Sequence, residues 1–242
     1  MERAYHRWFS PHMGHDMELL VFGHSGAKVL VFPTRDGRFH EYEDLGLVAA
    51  LQPRIEAGEL QLFCVDSAYH QTFYAIELPP PQRVARHRDY EQYLITEVVP
   101  LMRYLNPLGQ MVAHGCSLGA FHAATLAFRH PQLFNRLVAF SGRYDLTLEV
   151  EHFRNLLDGH YDQDVYFHTP THFLPNLQCP TLLRHLRQLD VTLVIGSEDP
   201  FLANNRALQQ ILDGKGIRNS LHEWPERAHR GSYWRRMAPL YL

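Results

Sequence analysis

The chain has 242 residues, of which 45% are hydrophobic and 20% are charged. This is the composition of an ordinary globular domain with a large core, and it excludes a disordered or fibrous protein. The formal net charge is -3, without a long run of one sign, and no apolar stretch has the length of a membrane span. We therefore expect neither nucleic acid nor a membrane as a partner.

Short apolar segments alternate with helical patterns along most of the chain. Tyr5 to Phe9 and Met17 to Phe22 flank a Pro-His-Met-Gly turn, which is typical of an antiparallel hairpin at a sheet edge. Six further segments are predicted strands, and the most apolar of them are typical of strands buried on both faces. These segments are Ala27–Phe32, Leu60–Val65, Met111–Cys116, Arg136–Ser141, Val191–Ile195 and Ser220–Trp224.

Helical patterns occur between most of these strands. Pro100 should kink the helix in which it lies, because proline lacks a backbone N–H group. The predicted helices span residues 42–51, 89–104, 118–128, 204–212 and 234–242. Strands that alternate with helices imply right-handed crossovers and a mainly parallel sheet. We expect an α/β fold of about eight strands with helices on both faces, as a single domain over residues 1–242. A small lid-like insertion is expected at about residues 142–187.

Three cysteines occur in the chain, and none belongs to a Cys-x-x-Cys pair. They are Cys64, Cys116 and Cys179. A sparse, odd set fits free thiols in a reducing compartment better than a disulfide framework. Residues 1–8 also lack the apolar segment and the small-residue cleavage site of a signal peptide. These features predict a cytoplasmic protein.

The most informative motif is Gly-Cys-Ser-Leu-Gly, between a predicted strand and a predicted helix. Gly-x-Ser-x-Gly in this context is the pattern of a nucleophile elbow, a tight turn that exposes the serine hydroxyl. Gly115 and Gly119 remove side chains that would collide with the backbone of such a turn. Ser117 is therefore the predicted nucleophile.

An acid and a histidine follow two later strands. Asp199 lies just after Val191–Ile195, and His229 lies in the loop after Ser220–Trp224. The reactive groups of a parallel sheet gather outside the carboxyl ends of its strands, so both residues should lie near Ser117. The chain order of nucleophile, acid and histidine is that of α/β-hydrolases. His229 would take the serine proton, and Asp199 would orient the imidazole.

Each of these assignments has a competitor. Glu198 could replace Asp199 as the acid; we favour Asp199 because Pro200 ends the turn directly after it. Among the 17 histidines, His114 and His222 lie within strands and His122 lies along a helix, so a structural role is expected for all three.

Two other kinds of chemistry are less well supported. Cys116 should face the packed side of its strand, because neighbours on a strand point to opposite faces. His160, His168 and His172, with nearby aspartates, match no zinc spacing. We expect no metal and no cofactor.

Attack on a carbonyl requires donors for the oxyanion. One would be the backbone N–H of Leu118, at the positive end of the helix that begins there. The second should come from the loop after Phe32, where the N–H of Arg35 is the best candidate.

Several motifs together resemble the bacterial putative esterase branch of the α/β-hydrolases, the group that includes esterase D and the mycolyltransferases. They cover nearly the whole chain. They are Phe32-Pro-Thr, Phe39-His-Glu-Tyr-Glu-Asp, Gly115-Cys-Ser-Leu-Gly119, Phe140-Ser-Gly-Arg-Tyr-Asp145, Asp164-Val-Tyr-Phe167, Gly196-Ser-Glu-Asp-Pro200 and His229 before Tyr233-Trp234. The resemblance implies an α/β-hydrolase fold and serine-dependent hydrolysis or transfer of acyl groups without a cofactor. It also implies a triad of Ser117, Asp199 and His229.

The substrate pocket is predicted from two regions of the chain. The oxyanion loop and the region after Phe140 should both border Ser117. The predicted lining residues are Arg38, Phe39, His40, Tyr144, Tyr161, Tyr166 and Phe167. An aromatic lining of this kind would suit a short or aromatic acyl group.

Three functions agree with these features. The first is a carboxylesterase, or a thioesterase with the same triad, acting on a small-molecule ester. The second is an acyltransferase that uses the same triad. The third is a catalytically silent domain that binds a partner. The sequence leaves open whether the chain forms a homo-oligomer.

Overall fold

A computed structural model describes residues 1–242. Eight strands form one sheet, and each of the predicted strands is present with bounds that differ by at most a few residues. The strands are β1 (Arg3–Ser10), β2 (His15–Phe22), β3 (Ala27–Phe32), β4 (Leu60–Val65), β5 (Met111–Cys116), β6 (Arg136–Phe140), β7 (Asp190–Gly196) and β8 (Asn219–Trp224).

The order of the strands in the sheet is β1-β2-β4-β3-β5-β6-β7-β8. The hairpin of β1 and β2 lies at one edge, and β2 pairs with β4 in the antiparallel sense. All pairs from β4 to β8 are parallel. The predicted edge hairpin and the mainly parallel sheet are therefore confirmed. The carboxyl ends of β3 to β8 all lie at one edge of the parallel part, which we call the carboxyl edge.

Ten α-helices connect and cover the strands. They are α1 (Glu41–Asp44), α2 (Leu47–Glu56), α3 (Pro80–Tyr93), α4 (Val99–Leu105), α5 (Leu118–Arg129), α6 (Gln163–Phe167), α7 (Pro170–Asn176), α8 (Pro180–Leu186), α9 (Leu202–Gly214) and α10 (Gly231–Tyr241). None of them combines the length and the apolar character that a bilayer-spanning helix needs.

Two of the predicted helices differ from the observed ones. The segment expected as one helix over residues 42–51 is divided, because Gly46 adopts a left-handed conformation with φ 77° between α1 and α2. The next helix begins at Pro80, since proline in a first turn lacks only an N–H that would be unpaired there anyway. A π-helical turn over Leu94–Val98 joins α3 to α4, just before Pro100. The disturbance expected at this proline is therefore a π turn.

The sheet has a core on each face. Along β3, Leu30 and Phe32 contribute to one core while Val29 and Val31 contribute to the other, as the alternation of a strand requires. Helices α3, α4, α5, α7, α8 and α9 cover the first core, and α1, α2 and α10 cover the second. The expectation of helices on both faces is confirmed.

Residues 142–187 contain only short helices, α6 to α8, and their loops. Leu146, Leu157 and Val165 from this segment form a small cluster with Leu118 and Phe121 at the start of α5. This contact places the segment over the carboxyl edge, where it forms one wall of the cavity described below.

Candidate active site

Ser117 occupies a strained turn between β5 and α5. Its backbone has φ 56° and ψ −118°, a region that residues with a side chain rarely adopt. The two flanking glycines permit this turn. A Cβ atom on Gly115 would lie 2.3 Å from the Gly119 carbonyl carbon, and one on Gly119 would lie 2.4 Å from the Phe32 oxygen. The turn therefore has the geometry of a nucleophile elbow.

A series of hydrogen bonds joins the hydroxyl of Ser117 to a buried carboxylate. The Ser117 Oγ lies 2.9 Å from His229 Nε2, and His229 Nδ1 lies 2.7 Å from Asp199 Oδ2. The carboxylate accepts from Nδ1–H, so that Nε2 is free to accept from the serine hydroxyl. The Phe201 backbone N–H also donates to Asp199 Oδ1, at 2.9 Å. The Asp199 side chain is fully enclosed, whereas 18% of the His229 side chain is exposed.

The loops after β7 and β8 hold the acid and the histidine in register. The Ser197 N–H donates to the Trp224 carbonyl at 2.7 Å, and the Glu198 N–H donates to the Glu226 carbonyl at 3.1 Å. These two bonds extend the pairing of β7 and β8 beyond their ends. The chain reaches His229 only a few residues later, so the imidazole is held near the end of β7.

The side chains of Glu198 and Asp199 point to different places. Glu198 is exposed and lies in a shallow surface groove with Glu226 and Arg227. Asp199 alone of the two contacts His229. The alternative acid left open by the sequence does not reach the imidazole.

Ser117 opens onto a cavity of about 260 Å³ at the carboxyl edge. The wall is largely apolar, and it includes both the serine and the histidine. The lining residues are Thr34, Arg35, Asp36, Tyr74, Ser117, Leu118, Phe121, Ser141, Arg143, Leu146, Phe153, Leu156, Phe201, His229 and Trp234.

The loop after β3 contributes Arg35 to this cavity, as predicted. Glu41 holds the loop in place, because its carboxylate accepts from the Thr34 backbone N–H at 2.7 Å and from the Thr34 hydroxyl at 2.5 Å. The backbone N–H groups of Arg35 and Leu118 donate to no acceptor within the protein. Neither N–H group is used by the fold, and both residues are among those that line the cavity.

Three residues further along the same loop, Arg38, Phe39 and His40, were wrongly predicted to line the cavity. Arg38 forms two hydrogen bonds of 2.9 Å with the Asp66 carboxylate and an ion pair with Glu18. Phe39 packs against Tyr5 of the edge hairpin. The His40 ring bonds to Asp44 in α1 at 2.6 Å. These contacts turn the three side chains away from Ser117.

The four aromatic residues predicted to line the pocket also lie outside the cavity. Tyr144 is fully buried in the core that α5 covers, and Tyr166 packs against the same core. Tyr161 and Phe167 are 51% and 41% exposed, and the Tyr161 hydroxyl contacts His172. The prediction failed because residues 142–187 form only short helices and loops, so that no regular pattern shows which side chains face Ser117.

Several cavity residues were not predicted to line the pocket, although Ser141, Arg143 and Trp234 lie in motifs that carry the family resemblance. Trp234 donates its indole N–H to Ser141 Oγ at 3.1 Å, and its ring lies 5.7 Å from the His229 ring. The Phe201 ring lies 6.4 Å from His229 on another side. These rings limit the positions that the imidazole can take. Arg143 also lines the cavity; the available signals were its place three residues after the end of β6 and its presence in the Phe140–Asp145 motif.

Two titratable side chains of β5, Cys116 and His114, are unreactive because they are buried. Burial raises the pKa of the Cys116 thiol well above its ordinary value, and the thiol lies in the core on the α2 side, as predicted. Burial lowers the pKa of His114 to about 4. Its ring bonds to the Val138 carbonyl and the Tyr42 hydroxyl, so it has a structural role in β5.

A mainly parallel sheet of eight strands, with a serine after β5, an acid after β7 and a histidine after β8, is the arrangement of an α/β-hydrolase. Solved structures share this fold. A ferulic acid esterase has 15% identity and a TM-score of 0.73, with 98% of this chain and 94% of that chain covered. An S-formylglutathione hydrolase from Agrobacterium tumefaciens has 14% identity and a TM-score of 0.74, with coverage of 98% and 91%. The fluorophosphonate-binding serine hydrolase F of Staphylococcus aureus has 13% identity and a TM-score of 0.70, with coverage of 99% and 97%.

A family model described as "Putative esterase" matches residues 43–236, which is most of the chain. The chain belongs to this family. It is a carboxylesterase-like serine hydrolase that acts on a small-molecule ester. No curated protein sequence matches the chain significantly.

Proposed function

We propose that Ser117 is the nucleophile of this esterase, with His229 as general base and acid and Asp199 as the residue that orients it. The observation that carries the proposal is the unbroken hydrogen-bond series from Asp199 through His229 to Ser117, at the mouth of an apolar cavity. A serine hydroxyl is a poor nucleophile at neutral pH, and an adjacent imidazole is the common way to activate it.

The reaction proceeds through an acyl-enzyme. His229 takes the Ser117 proton as the oxygen attacks the ester carbonyl, and the backbone N–H groups of Leu118 and Arg35 donate to the oxyanion. The imidazolium, stabilised by Asp199, then protonates the departing alcohol or thiol. Water enters, His229 takes its proton, and attack on the acyl group frees the acid and restores Ser117.

The substrate class follows from the cavity. A volume of about 260 Å³ with apolar walls suits a short or aromatic acyl group of a carboxylic ester or thioester. Residues 142–187 supply Leu146, Phe153 and Leu156 to the wall, which supports treating this segment as a lid-like insertion within a single domain. The cytoplasmic location remains a prediction from the cysteine content. All three thiols are free, and two of them are buried.

The proposal is tested with short p-nitrophenyl esters. Ser117→Ala should lower kcat by four to six orders of magnitude, to about the level that binding and oxyanion donors alone support. A fluorophosphonate should label the wild type at Ser117 and not at Ser141, which also lines the cavity but has no histidine base. Mapping the label by mass spectrometry separates the two serines. Hydrolysis that survives Ser117→Ala, or a label on Ser141, would contradict the proposal.

Hydrolysis is separated from acyl transfer by product analysis. With an alcohol acceptor added to the reaction, a hydrolase should yield mainly the free acid. A transferase should yield mainly the new ester. Absence of any serine-dependent product would instead indicate a silent binding domain.

A further inference from the structure

Arg143 is one of two arginines that the fold buries almost completely. Arg143 is 8% exposed and Arg83 is 4% exposed. Arg83 has a counter-ion, because its Nη1 lies 2.9 Å from the Asp158 carboxylate. Arg143 forms no ion pair, although the charges of Asp145 and Glu149 act on it from a distance: all four of its hydrogen bonds end on backbone carbonyl oxygens, in the loop over residues 145–154. A buried charge without a counter-ion is costly, so its presence beside a cavity points to a ligand.

One nitrogen of this guanidinium is free. The four hydrogen bonds use Nε and Nη2 only, which leaves both N–H groups of Nη1 without an acceptor in the protein. Nη1 is also absent from the fully enclosed polar atoms that lack a partner, so it keeps access to the cavity that Arg143 lines. The Phe201 ring, 5.9 Å from the Arg143 Cζ, limits the movement of the guanidinium. A fixed donor therefore faces the space where substrate binds.

The other charges on the cavity wall compensate each other. Arg35 and Asp36 lie 3.4 Å apart, and their side chains are 52% and 65% exposed. Solvent screens such a pair, whereas the charge of Arg143 acts from a poorly solvated position. The wall near Arg143 is apolar, with Leu146 and Leu156 among its residues.

We propose that Arg143 determines specificity by binding an anionic group of the substrate through Nη1. The substrate would be an ester that carries a carboxylate on an apolar spacer, on either the acyl or the alcohol side. This proposal rests on the proposed function, because it requires that Ser117 attacks the ester in the same cavity. A charge-assisted hydrogen bond of this kind should favour the anionic substrate by about tenfold or more.

Four esters test the proposal in two matched pairs. Mono(4-nitrophenyl) adipate and its methyl ester differ only in a carboxylate on the acyl side. 4-Acetoxybenzoate and its methyl ester place the same difference on the alcohol side. The wild type should show a kcat/KM about tenfold or more higher for the anionic member of at least one pair. The pair that shows the preference identifies the side on which the anion lies.

Two variants assign the preference to a residue. Arg143→Gln should bring the ratio of the two kcat/KM values to within about twofold of the intrinsic ratio seen for hydroxide-catalysed hydrolysis. Arg35→Gln, which removes an exposed cation from the same cavity, should keep most of the preference. Thermal unfolding reports whether Arg143→Gln is folded, since its four loop hydrogen bonds are also at risk.

If Arg143→Gln does not fold, inhibition of the wild type tests whether the cavity binds an anionic group. Hexanoate should inhibit hydrolysis of 4-nitrophenyl butyrate competitively, with a Ki about tenfold lower than that of hexanamide. Equal inhibition by the two, no anionic preference in either pair, or a preference that Arg143→Gln retains would overturn the proposal. Loss of all Ser117-dependent hydrolysis, for neutral and anionic esters alike, would instead contradict the proposed function.

Discussion

Histidines lie beside α5 at two places, and only one of these places has the surroundings that chemistry needs. At its amino end, His229 contacts Ser117 and Asp199, so that both of its ring nitrogens have partners. Further along, the His87 ring lies 5.3 Å from the His122 ring and 5.0 Å from the His168 ring. Neither ring nitrogen of His87 has a hydrogen-bond partner in the protein.

The two places also differ in the access of a substrate to the histidine. His229 lies on a cavity of about 260 Å³, whereas the space beside His87 and His122 is about 10 Å³, which is too small for a substrate. Burial lowers the pKa of His122 to about 3 and that of His87 well below its ordinary value, so both rings stay neutral. A cluster of histidines is therefore not a site by itself. Partners and access, rather than residue type, distinguish the two regions.

After Ser117→Ala, the largest effect is expected from substitution of Asp199, the acid that bonds to His229. Asp199→Asn should lower kcat by three to four orders of magnitude, because an amide cannot stabilise the imidazolium and can hold the wrong tautomer. Glu198→Gln is the matched control and should change kcat by less than about twofold, since its side chain is exposed and Asp199 alone of the two bonds to His229. Steady-state kinetics with p-nitrophenyl butyrate measures both. If Glu198→Gln were the damaging change, the assigned partner of His229 would be wrong.

The next prediction concerns the strained turn at Ser117. This turn is present at the amino end of α5, beside His229, and absent from the part of α5 that lies beside His87. Gly119→Ala should lower the free energy of unfolding by about 2–3 kcal/mol, since the new Cβ would lie 2.4 Å from the Phe32 oxygen and 2.6 Å from the Pro33 oxygen. Gly214→Ala is the control. No heavy atom lies within 4 Å of the Cβ it would add, so stability should change by about 1 kcal/mol at most. Urea unfolding compares the two, and equal effects would argue against a steric requirement at the turn.

The buried histidines should make the stability of the fold sensitive to acid. The pKa of His122 is about 3 in the folded state, below its ordinary value of 6.5, so the unfolded chain binds a proton first as the pH falls. The stability due to the neutral ring is present above about pH 6.5 and is lost progressively down to about pH 3. Between pH 7 and pH 5 the loss due to this one residue should be about 2 kcal/mol.

His122→Phe tests this expectation, because phenylalanine fills a similar space and does not titrate. The difference between urea unfolding free energies at pH 7 and pH 5 should shrink by about 2 kcal/mol in this variant. His24→Gln, at an exposed loop position, should leave the difference unchanged. An unaltered difference in His122→Phe would mean that this ring is not a neutral core residue.

The smallest effects concern the cavity wall. Leu156→Ala removes an apolar lining group and should raise the KM for p-nitrophenyl butyrate about fivefold. Tyr161→Ala and Phe167→Ala should change KM by less than about twofold, because both side chains lie outside the cavity. If all three substitutions raised KM to a similar degree, residues 142–187 would cover the bound substrate in an arrangement other than the one in this structure.

The fold was predictable because each strand is a short apolar run with clear turn residues at its ends. Ala27–Phe32 and Leu60–Val65 match the observed strands residue for residue. Helix ends were less predictable. Neither the left-handed Gly46 nor the start of α3 at Pro80 has a signal in apolar spacing, since both depend on local backbone geometry.

The residues of the hydrogen-bond series were predictable for a different reason. Once strands are parallel, their carboxyl ends share an edge, so positions just after β5, β7 and β8 must be neighbours. The pocket wall follows no such rule. Tyr144 and Arg143 are adjacent in the chain, yet Tyr144 is buried in the core and Arg143 lines the cavity.

The sequence by itself determined the order of strands and helices, the tight turn at Ser117 and the placement of Asp199 and His229 at the same carboxyl edge of the sheet. These features depend on local patterning and on the geometry of a parallel sheet. Only the tertiary structure decided which side chains surround the serine. Trp234 donates to Ser141, and Leu146 joins the cluster that contains Phe121, through contacts between segments that are distant in the chain. No pattern of neighbouring residues encodes such contacts, because they exist only after both faces of the sheet are covered.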